Sequence, residues 1–300
     1  MLLALVGPTA SGKTEAGITL AGWLGAEVLS VDSMLVYRGM DVGTAKPTTA
    51  QRAVVAHHLL DLAEPAERFT VARFQAAARD ALTRVTVPLL VGGSGLYFRA
   101  VVDDLRFPPE DPVVRAALEA EADELGADEL YRRLAGTDPV AAARIDPGNV
   151  RRTIRALEVS AITGAPFSDF AAAWEEYAPE RVRVAGLRMP TPVVDARVRQ
   201  RVASMLAAGW IDEVRDLVAR GFGSWLTASQ AIGYAELAAH LDGRLALDEA
   251  MERTVKRTKE LARRQMAWFR RDPRIRWFDV GERGAMAVVD ELRGYLEEAT

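Results

Sequence analysis

The sequence predicts an α/β protein in which a parallel sheet is flanked by helices and interrupted by an all-helical insertion. Apolar strand candidates at 2–6, 27–31, 58–62 and 88–91 alternate with helical segments, which is typical of such sheets. Three prolines within residues 108–112 then break regular structure, and the chain reads as helices only as far as residue 174. A further strand is expected to return to the sheet at 181–187.

A glycine-rich loop follows the first strand candidate and is the most specific motif of the chain. The sequence GPTASGKT fills every position of the phosphate-binding pattern G-x-x-x-x-G-K-[ST]. Its residues are Gly7, Pro8, Thr9, Ala10, Ser11, Gly12, Lys13 and Thr14. Backbone N–H groups of such a loop converge on phosphate oxygens, and the lysine and threonine reach the outer phosphates and Mg²⁺. The core is therefore predicted to be P-loop NTPase-like and to bind a diphosphate or triphosphate.

Two domains are predicted from the change in pattern at the proline-rich break. The core is expected to comprise residues 1–112 and 180–300, and the helical insertion residues 113–179. Periodicity predicts core helices at 14–24, 68–85, 194–208, 211–220, 228–241 and 247–270.

Composition is ordinary for a globular protein and excludes several kinds of site. The chain has no cysteine, which excludes disulfides and thiolate zinc sites. No apolar run reaches membrane-spanning length and no signal peptide is recognised, so we expect a cytoplasmic protein without a membrane partner. The net charge of −4 is unevenly distributed, because residues 253–276 hold ten lysines and arginines against two acids.

Polar residues follow two of the strand candidates, at the sheet edge where open α/β sheets bind ligands. Asp32 is interpreted as a general base or a Mg²⁺ ligand, with a helix cap or turn as the alternative. Ser94, in the sequence GGSG, either contacts a ligand or is a plain turn serine. Asp41, Thr44 and Lys46 are expected to organise a loop. The three histidines lack metal-ligand spacing and are assigned structural roles.

Two basic patches favour a nucleic-acid partner. Lys256, Lys259 and Arg263 lie on about one face of the predicted helix at 247–270, where a phosphate-backbone site is preferred over a solvated helix face. Arg151, Arg152 and Arg155 form a second patch on the insertion. We expect these patches to hold a nucleic acid beside the phosphate loop.

Seven segments, in order, resemble those of the bacterial tRNA dimethylallyltransferases, also called tRNA isopentenyltransferases. They are GPTASGKT (7–14), VDSMLVYRGMDVGTAKP (31–47), HHLLD (57–61), GGSGLYFRA (92–100), RRTIRALEV (151–159), QAIGYAEL (230–237) and TKELARRQMAWFRR (258–271). Together they span nearly the whole chain. The phosphate loop is shared with many kinases, whereas the long second segment and the last one are not.

The resemblance implies transfer of a dimethylallyl group from dimethylallyl diphosphate to N6 of the adenosine on the 3′ side of the tRNA anticodon, with Mg²⁺ as cofactor. By matching position, Asp32 is the general base, and Lys13 and Thr14 lie nearest the diphosphate and Mg²⁺. Arg197 and Arg201 lie where the family places a diphosphate-facing arginine, and the sequence does not choose between them. Residues that match tRNA-contacting positions are Asp32, Ser33, Met34, Leu35, Ser94, Arg115, Arg151, Arg152, Thr153, Ile154 and Arg155.

The chain departs from the family pattern at two positions, and two other functions compete with prenyl transfer. Many members have glutamine where this chain has Leu35, and threonine where it has Ser94. A nucleotide or small-molecule kinase would explain the phosphate loop but not the basic patches. A non-catalytic RNA-binding module is disfavoured by the intact Lys13, Thr14 and Asp32. A monomer is expected, and useful binding of ATP is left open.

Overall fold

The computed structural model describes residues 1–103, 105–174, 176–178 and 181–298. The chain divides into two compact units. One consists of Met1–Val102 and Ala178–Thr300, and the other of Asp103–Tyr177. We call them the core unit and the insertion unit.

Six parallel strands form the sheet of the core unit. They are β1 (Leu2–Val6), β2 (Glu27–Val31), β3 (His57–His58), β4 (Pro88–Gly92), β5 (Val182–Arg188) and β6 (Ile275–Asp279), in the spatial order β3-β2-β4-β1-β5-β6. Val6 of β1 and Val31 of β2 both pair with Gly92 of β4. Because these strands are parallel and end in register, the loops that follow β1, β2 and β4 emerge side by side at one edge.

Thirteen α-helices lie in the described residues of the two units. They are α1 (Lys13–Leu24), α2 (Thr49–Val54), α3 (Val71–Leu82), α4 (Gly95–Val102), α5 (Pro112–Leu125), α6 (Ala127–Thr137), α7 (Pro139–Arg144), α8 (Val150–Thr163), α9 (Thr191–Ala207), α10 (Trp210–Ala219), α11 (Tyr234–Leu241), α12 (Leu247–Phe269) and α13 (Val289–Glu297). Helices α5 to α8 belong to the insertion unit, where Leu118, Leu130, Leu134 and Leu157 are buried in a core of its own.

Most predicted strands are confirmed, but the third is wrong in length and the sixth was not predicted. The third strand ends at His58 because Leu59 and Asp61 adopt positive φ angles of 65° and 56°, which an extended strand does not allow. Strand β6 has a weak signal in the sequence because it lies in the basic stretch that begins in α12 and carries Arg276 among its apolar residues.

The predicted helix at 228–241 is interrupted. A short 3₁₀ helix covers Ala228–Gln230, and α11 begins only at Tyr234. Between them Gly233 has a φ of +91°, and a Cβ there would lie 2.1 Å from the Trp210 ring. The break therefore has a tertiary cause, since the chain must turn closely around a buried tryptophan.

Candidate active site

The glycine-rich loop joins β1 to α1 and is held in a defined conformation. Ala10 and Gly12 have positive φ angles of 64° and 89°, and Ser11 is fully buried. The Ser11 carbonyl accepts a hydrogen bond from the Ala285 N–H at 3.1 Å. The Lys13 ammonium donates to the Pro8 carbonyl at 2.5 Å and lies 3.4 Å from the Ser11 hydroxyl. The Lys13 side chain, at the start of α1, therefore folds back against the loop that precedes it.

Asp32 and Ser94 are brought together at the same edge of the sheet. Asp32 follows β2, and its Oδ1 accepts a hydrogen bond from the Met34 N–H at 2.8 Å. The Ser94 N–H donates to the carbonyl of Val31, the residue before Asp32, at 3.3 Å. Both side chains are half-buried. The local turn orients the carboxyl group, and the bond from Ser94 holds the loop after β4 against the residue that precedes Asp32.

Lys13, Asp32 and Arg201 form a group of interacting charges, although they come from three separate parts of the chain. Burial, and to a smaller extent the positive charge of Arg201, lower the pKa of Lys13 to about 7, against the opposing effect of Asp32. Burial also lowers the pKa of Arg201, and Asp32 again acts in the opposite direction. Two crowded cations beside one carboxylate make a site where an added anion is favoured.

The two arginines of α9 have different surroundings. Arg197 donates through Nε to the Ala10 carbonyl and through Nη1 to the Glu282 carbonyl, each at 2.7 Å. It therefore ties the glycine-rich loop to the segment before α13. Arg201, one helical turn further on, is the arginine whose charge acts on Lys13 and Asp32.

Helix α12 contacts two glycine-rich loops through one face. The Gln265 Oε1 accepts a hydrogen bond from the Thr9 N–H at 2.8 Å. A Cβ on Gly93 would lie 2.5 Å from the Gln265 Nε2, and a Cβ on Gly95 would lie 1.8 Å from the Trp268 ring. The loops after β1 and β4 thus both contact α12. Gly93 and Gly95 have no side chain, which allows the loop after β4 to approach Gln265 and Trp268 closely. Sequence reasoning missed Gln265, because it lies 256 residues from its partner.

A buried lysine fixes the loop that follows Asp32 by pairing with two carboxylates. Lys46 is buried and donates to the Tyr37 carbonyl at 2.5 Å, and its ammonium lies 2.7 Å from Asp61 Oδ1 and 2.6 Å from Asp41 Oδ1. Although burial raises the pKa of Asp61, hydrogen bonds from Lys46 and Arg52 hold it below its ordinary value. The sequence-based expectation that Asp41 and Lys46 organise a loop is confirmed by these contacts.

Glu213 of α10, which sequence reasoning missed, holds the same loop from the other side. Its Oε2 accepts the N–H groups of Asp41 and Val42 at 2.7 Å each. Its Oε1 accepts the Gly43 N–H at 3.1 Å and the Tyr234 hydroxyl at 2.7 Å. Burial, and then the Glu213 charge, raise the pKa of Tyr234, so the phenol keeps its proton and donates. One carboxylate therefore satisfies four donors.

The basic face predicted on α12 is only partly free. Lys256 and Arg263 are exposed, whereas the Lys259 Nζ lies 2.9 Å from Oδ2 of Asp195 on α9. Two neighbouring arginines are also paired, Arg253 with Glu249 and Arg257 with Glu236. Asp195 and Glu236 lie outside residues 253–276, so a count of charges within that segment does not include them. The excess of positive charge on the folded helix is therefore smaller than the segment alone indicates.

The predicted basic patch of the insertion unit also divides into exposed and paired residues. Arg151 and Arg152 are exposed at the start of α8, whereas Thr153 and Ile154 are buried. The fully buried Glu158 carboxylate accepts hydrogen bonds from Arg155 at 2.8 Å and from Arg115, as well as from the Asp111 N–H at 2.9 Å. The contact of these residues with tRNA stays a prediction, and the two exposed arginines are the ones that a ligand can reach.

The fold and site define a parallel α/β protein with a glycine-rich loop and a carboxylate at one sheet edge, where two basic side chains and the carboxylate act on one another electrostatically. A family model described as "IPP transferase" matches residues 35–272, and one described as "Isopentenyl transferase" matches residues 1–61. The chain belongs to the IPP transferase family and is a prenyl-transferring enzyme. The predicted resemblance and fold class are therefore confirmed.

The sequences of several tRNA dimethylallyltransferases align with nearly the whole chain. A tRNA dimethylallyltransferase of Kineococcus radiotolerans is 54% identical over 92% of this chain and 90% of its own length. That of Desulforudis audaxviator is 45% identical over 99% and 98%. The crystal structure of the full-length tRNA isopentenylpyrophosphate transferase of Bacillus halodurans matches with a TM-score of 0.71 at 40% identity, over 99% of this chain and 97% of that one.

A eukaryotic dimethylallyltransferase, crystallised as snapshots of the enzyme acting on tRNA, has the same fold. It matches with a TM-score of 0.80 at 23% identity, over 98% of this chain and 77% of that one. In the described part of this chain, no helix has the length and apolarity needed to cross a membrane.

Proposed function

We propose that this protein transfers the dimethylallyl group of dimethylallyl diphosphate to N6 of the adenosine that follows the anticodon in tRNA. The observation that carries the proposal is that the glycine-rich loop after β1 and Asp32 after β2 emerge at the same edge of the sheet, where the charges of Lys13, Arg201 and Asp32 act on one another. The reaction needs an anion site for the leaving diphosphate and a base for the attacking amine, and these residues supply both. The names of the relatives support the same reaction.

The diphosphate is proposed to bind at the glycine-rich loop. Negative charge grows on the diphosphate as the allylic C–O bond breaks, and preorganised cations stabilise such charge strongly in a partly desolvated site. Lys13 and Arg201 are the cations for this role. We assign Arg197 to holding the loop, because both of its described contacts are to backbone carbonyls.

Asp32 is proposed to act as the general base. The lone pair of the adenine amine is delocalised into the ring, so a carboxylate that takes its proton during attack lowers the barrier. The hydrogen bond from Met34 orients this carboxyl group, and Ser94 lies on the adjacent loop to contact the substrate. The adenine must leave its stack to reach Asp32, as bases do in enzymes that modify them.

Mg²⁺ is the proposed cofactor, and the residues at the loop fit it. Thr14 is exposed in the first turn of α1 and offers a hydroxyl oxygen, the kind of hard ligand that Mg²⁺ prefers. Among the described residues, no three His, Cys, Asp or Glu side chains cluster as a metal site. That pattern suits an ion held by one or two protein oxygens together with phosphate oxygens. Bound Mg²⁺ would neutralise charge on the leaving diphosphate.

Each unit by itself is proposed to offer exposed basic residues for phosphate contacts with the RNA. These are Lys256 and Arg263 on α12 and Arg151 and Arg152 on α8. Phosphate contacts of this kind make affinity fall steeply with salt. Lys259 is proposed to contribute less than its neighbours, because its ammonium is already paired with Asp195.

The function is tested by transfer of label from radioactive dimethylallyl diphosphate, with Mg²⁺, into an unmodified anticodon stem-loop RNA. Labelled RNA is expected, and the label should vanish when the adenine after the anticodon is replaced by guanine. Phosphorylation with ATP in the absence of RNA, and no prenyl transfer, would instead favour the rival kinase function.

The role of Asp32 is tested with Asp32→Asn, which retains an oxygen to accept the Met34 N–H. Turnover is expected to fall by roughly 10²- to 10⁴-fold with little change in RNA affinity, since only the basic carboxylate is lost. Asp242→Asn is the matched control, because Asp242 is paired with the exposed Arg244. Wild-type turnover in Asp32→Asn would remove Asp32 from the mechanism.

A further inference from the structure

We infer that Gln265 is a positioning residue for Lys13 and acts through the peptide group between Pro8 and Thr9. The two groups of this peptide have different partners. The Thr9 N–H donates to the Gln265 Oε1 at 2.8 Å, and the Pro8 carbonyl accepts from the Lys13 ammonium at 2.5 Å. This role goes beyond the proposed transfer reaction, because it concerns how the loop lysine is held. It rests on the proposed function only for the identity of the natural diphosphate.

Peptide planarity connects the two contacts. The N–H and C=O of a trans peptide point in opposite directions in one plane, and no cis peptide occurs among the described residues. An acceptor that fixes the direction of the Thr9 N–H therefore also fixes the direction of the Pro8 carbonyl. Without that acceptor the plane can rotate about its flanking bonds, and the carbonyl that receives the Lys13 ammonium turns away.

The position of Gln265 is itself determined by packing. Gly93 lies against the end of its side chain, where a Cβ would come within 2.5 Å of Nε2 and 3.2 Å of the Gly7 carbonyl. The Trp268 ring, one turn later on α12, occupies the space that a Cβ on Gly95 would need. Glycine in the loop after β4 thus permits the glutamine to reach the loop after β1.

The inference is tested by calorimetric titration of the full chain with inorganic pyrophosphate and Mg²⁺, which needs no RNA. Gln265→Met keeps the length of the side chain and removes the acceptor. Affinity for pyrophosphate is expected to fall about tenfold, since an N–H within the loop loses its partner. Gln200→Met, an exposed glutamine on α9, is the matched control and should bind as the wild type does.

A double-mutant cycle with Lys13→Met separates positioning from a general loss of packing. If Gln265 acts through Lys13, adding Gln265→Met to Lys13→Met should change affinity by less than about twofold. Equal weakening by Gln265→Met in both backgrounds would overturn the inference. So would wild-type affinity in Gln265→Met.

One further variant keeps the test decisive. Gly93→Ala perturbs the same contact from the opposite side, because its Cβ displaces the glutamine amide, and it should weaken pyrophosphate binding in the same way. A stable Gly93→Ala protein with wild-type affinity would contradict the inference. A wild-type protein that binds pyrophosphate but transfers no prenyl group would overturn only the proposed function.

Discussion

Replacing Glu213 with glutamine is expected to loosen the loop at residues 41–43 and to lower the stability of the core unit. The carboxylate accepts four hydrogen bonds, two on each oxygen. Glutamine has a single acceptor oxygen, and its NH₂ group is a donor. In either orientation of the amide, two of the four hydrogen bonds to the carboxylate are lost, because the NH₂ group then faces either the Asp41 and Val42 N–H groups or the Gly43 N–H and the Tyr234 hydroxyl.

The magnitude follows from the two bonds that are lost. A hydrogen bond to a charged group contributes about 1.5 to 3 kcal/mol, so two would amount to roughly 3 to 6 kcal/mol. Glu213 is half-buried, and water that replaces part of the loss reduces the expected change in the free energy of unfolding to about 2 to 3 kcal/mol. At about 2 °C per kcal/mol for a chain of this size, the melting temperature should fall by about 5 °C.

Thermal unfolding followed by circular dichroism measures this change, and two variants calibrate it. Tyr234→Phe removes one of the four donors and should cost about 1 kcal/mol. Asp212→Asn removes the adjacent acid of α10, whose ion pair with Arg215 is exposed, and should cost less than about 0.5 kcal/mol. A Glu213→Gln protein that melts within about 1 °C of the wild type would refute the reasoning.

Two further outcomes are expected from charges that the fold places in contact. Affinity for pyrophosphate should fall as pH rises through about 7, the lowered pKa of Lys13, because only the protonated ammonium attracts the anion. A series of titrations at different pH values checks this, and Lys13→Met should flatten the profile. Glu158→Gln should cost the insertion unit about 3 kcal/mol, because Arg115 and Arg155 then lose a fully buried carboxylate. Hydrogen exchange should rise in α5 and α8 but not in the sheet, with Glu119→Gln as the exposed control; unchanged protection in α8 would contradict the prediction.

The pKa of Glu158 sets the pH range in which that ion-pair cluster stabilises the protein. Burial raises this pKa, but hydrogen bonds from Arg115 and Arg155 outweigh burial and hold it below its ordinary value. Since the folded-state pKa is lowered, the contribution is fully present above the ordinary pKa of a glutamate and is lost as pH falls through the folded value.

Local sequence determined the elements whose causes are local. The motif GPTASGKT predicted a strand, a loop and a helix because each depends on residues within a few positions, and β1 and α1 are found there. The alternation of apolar strands and helices predicted a parallel sheet for the same reason. The error at the third strand has a tertiary origin, since Asp61 leaves the extended conformation where it binds Lys46 and Arg52.

The sequence by itself determined the class of the fold, the glycine-rich loop and the family, because these follow from residue types at short, ordered spacings. Only the tertiary structure decided which α9 arginine acts on Lys13, which basic residues of α12 are already paired, and that Gln265 and Glu213 hold the loops of the site. Each of these facts depends on contacts between residues far apart along the chain. Such contacts are set by how helices pack on the sheet, and no local pattern of residues records them.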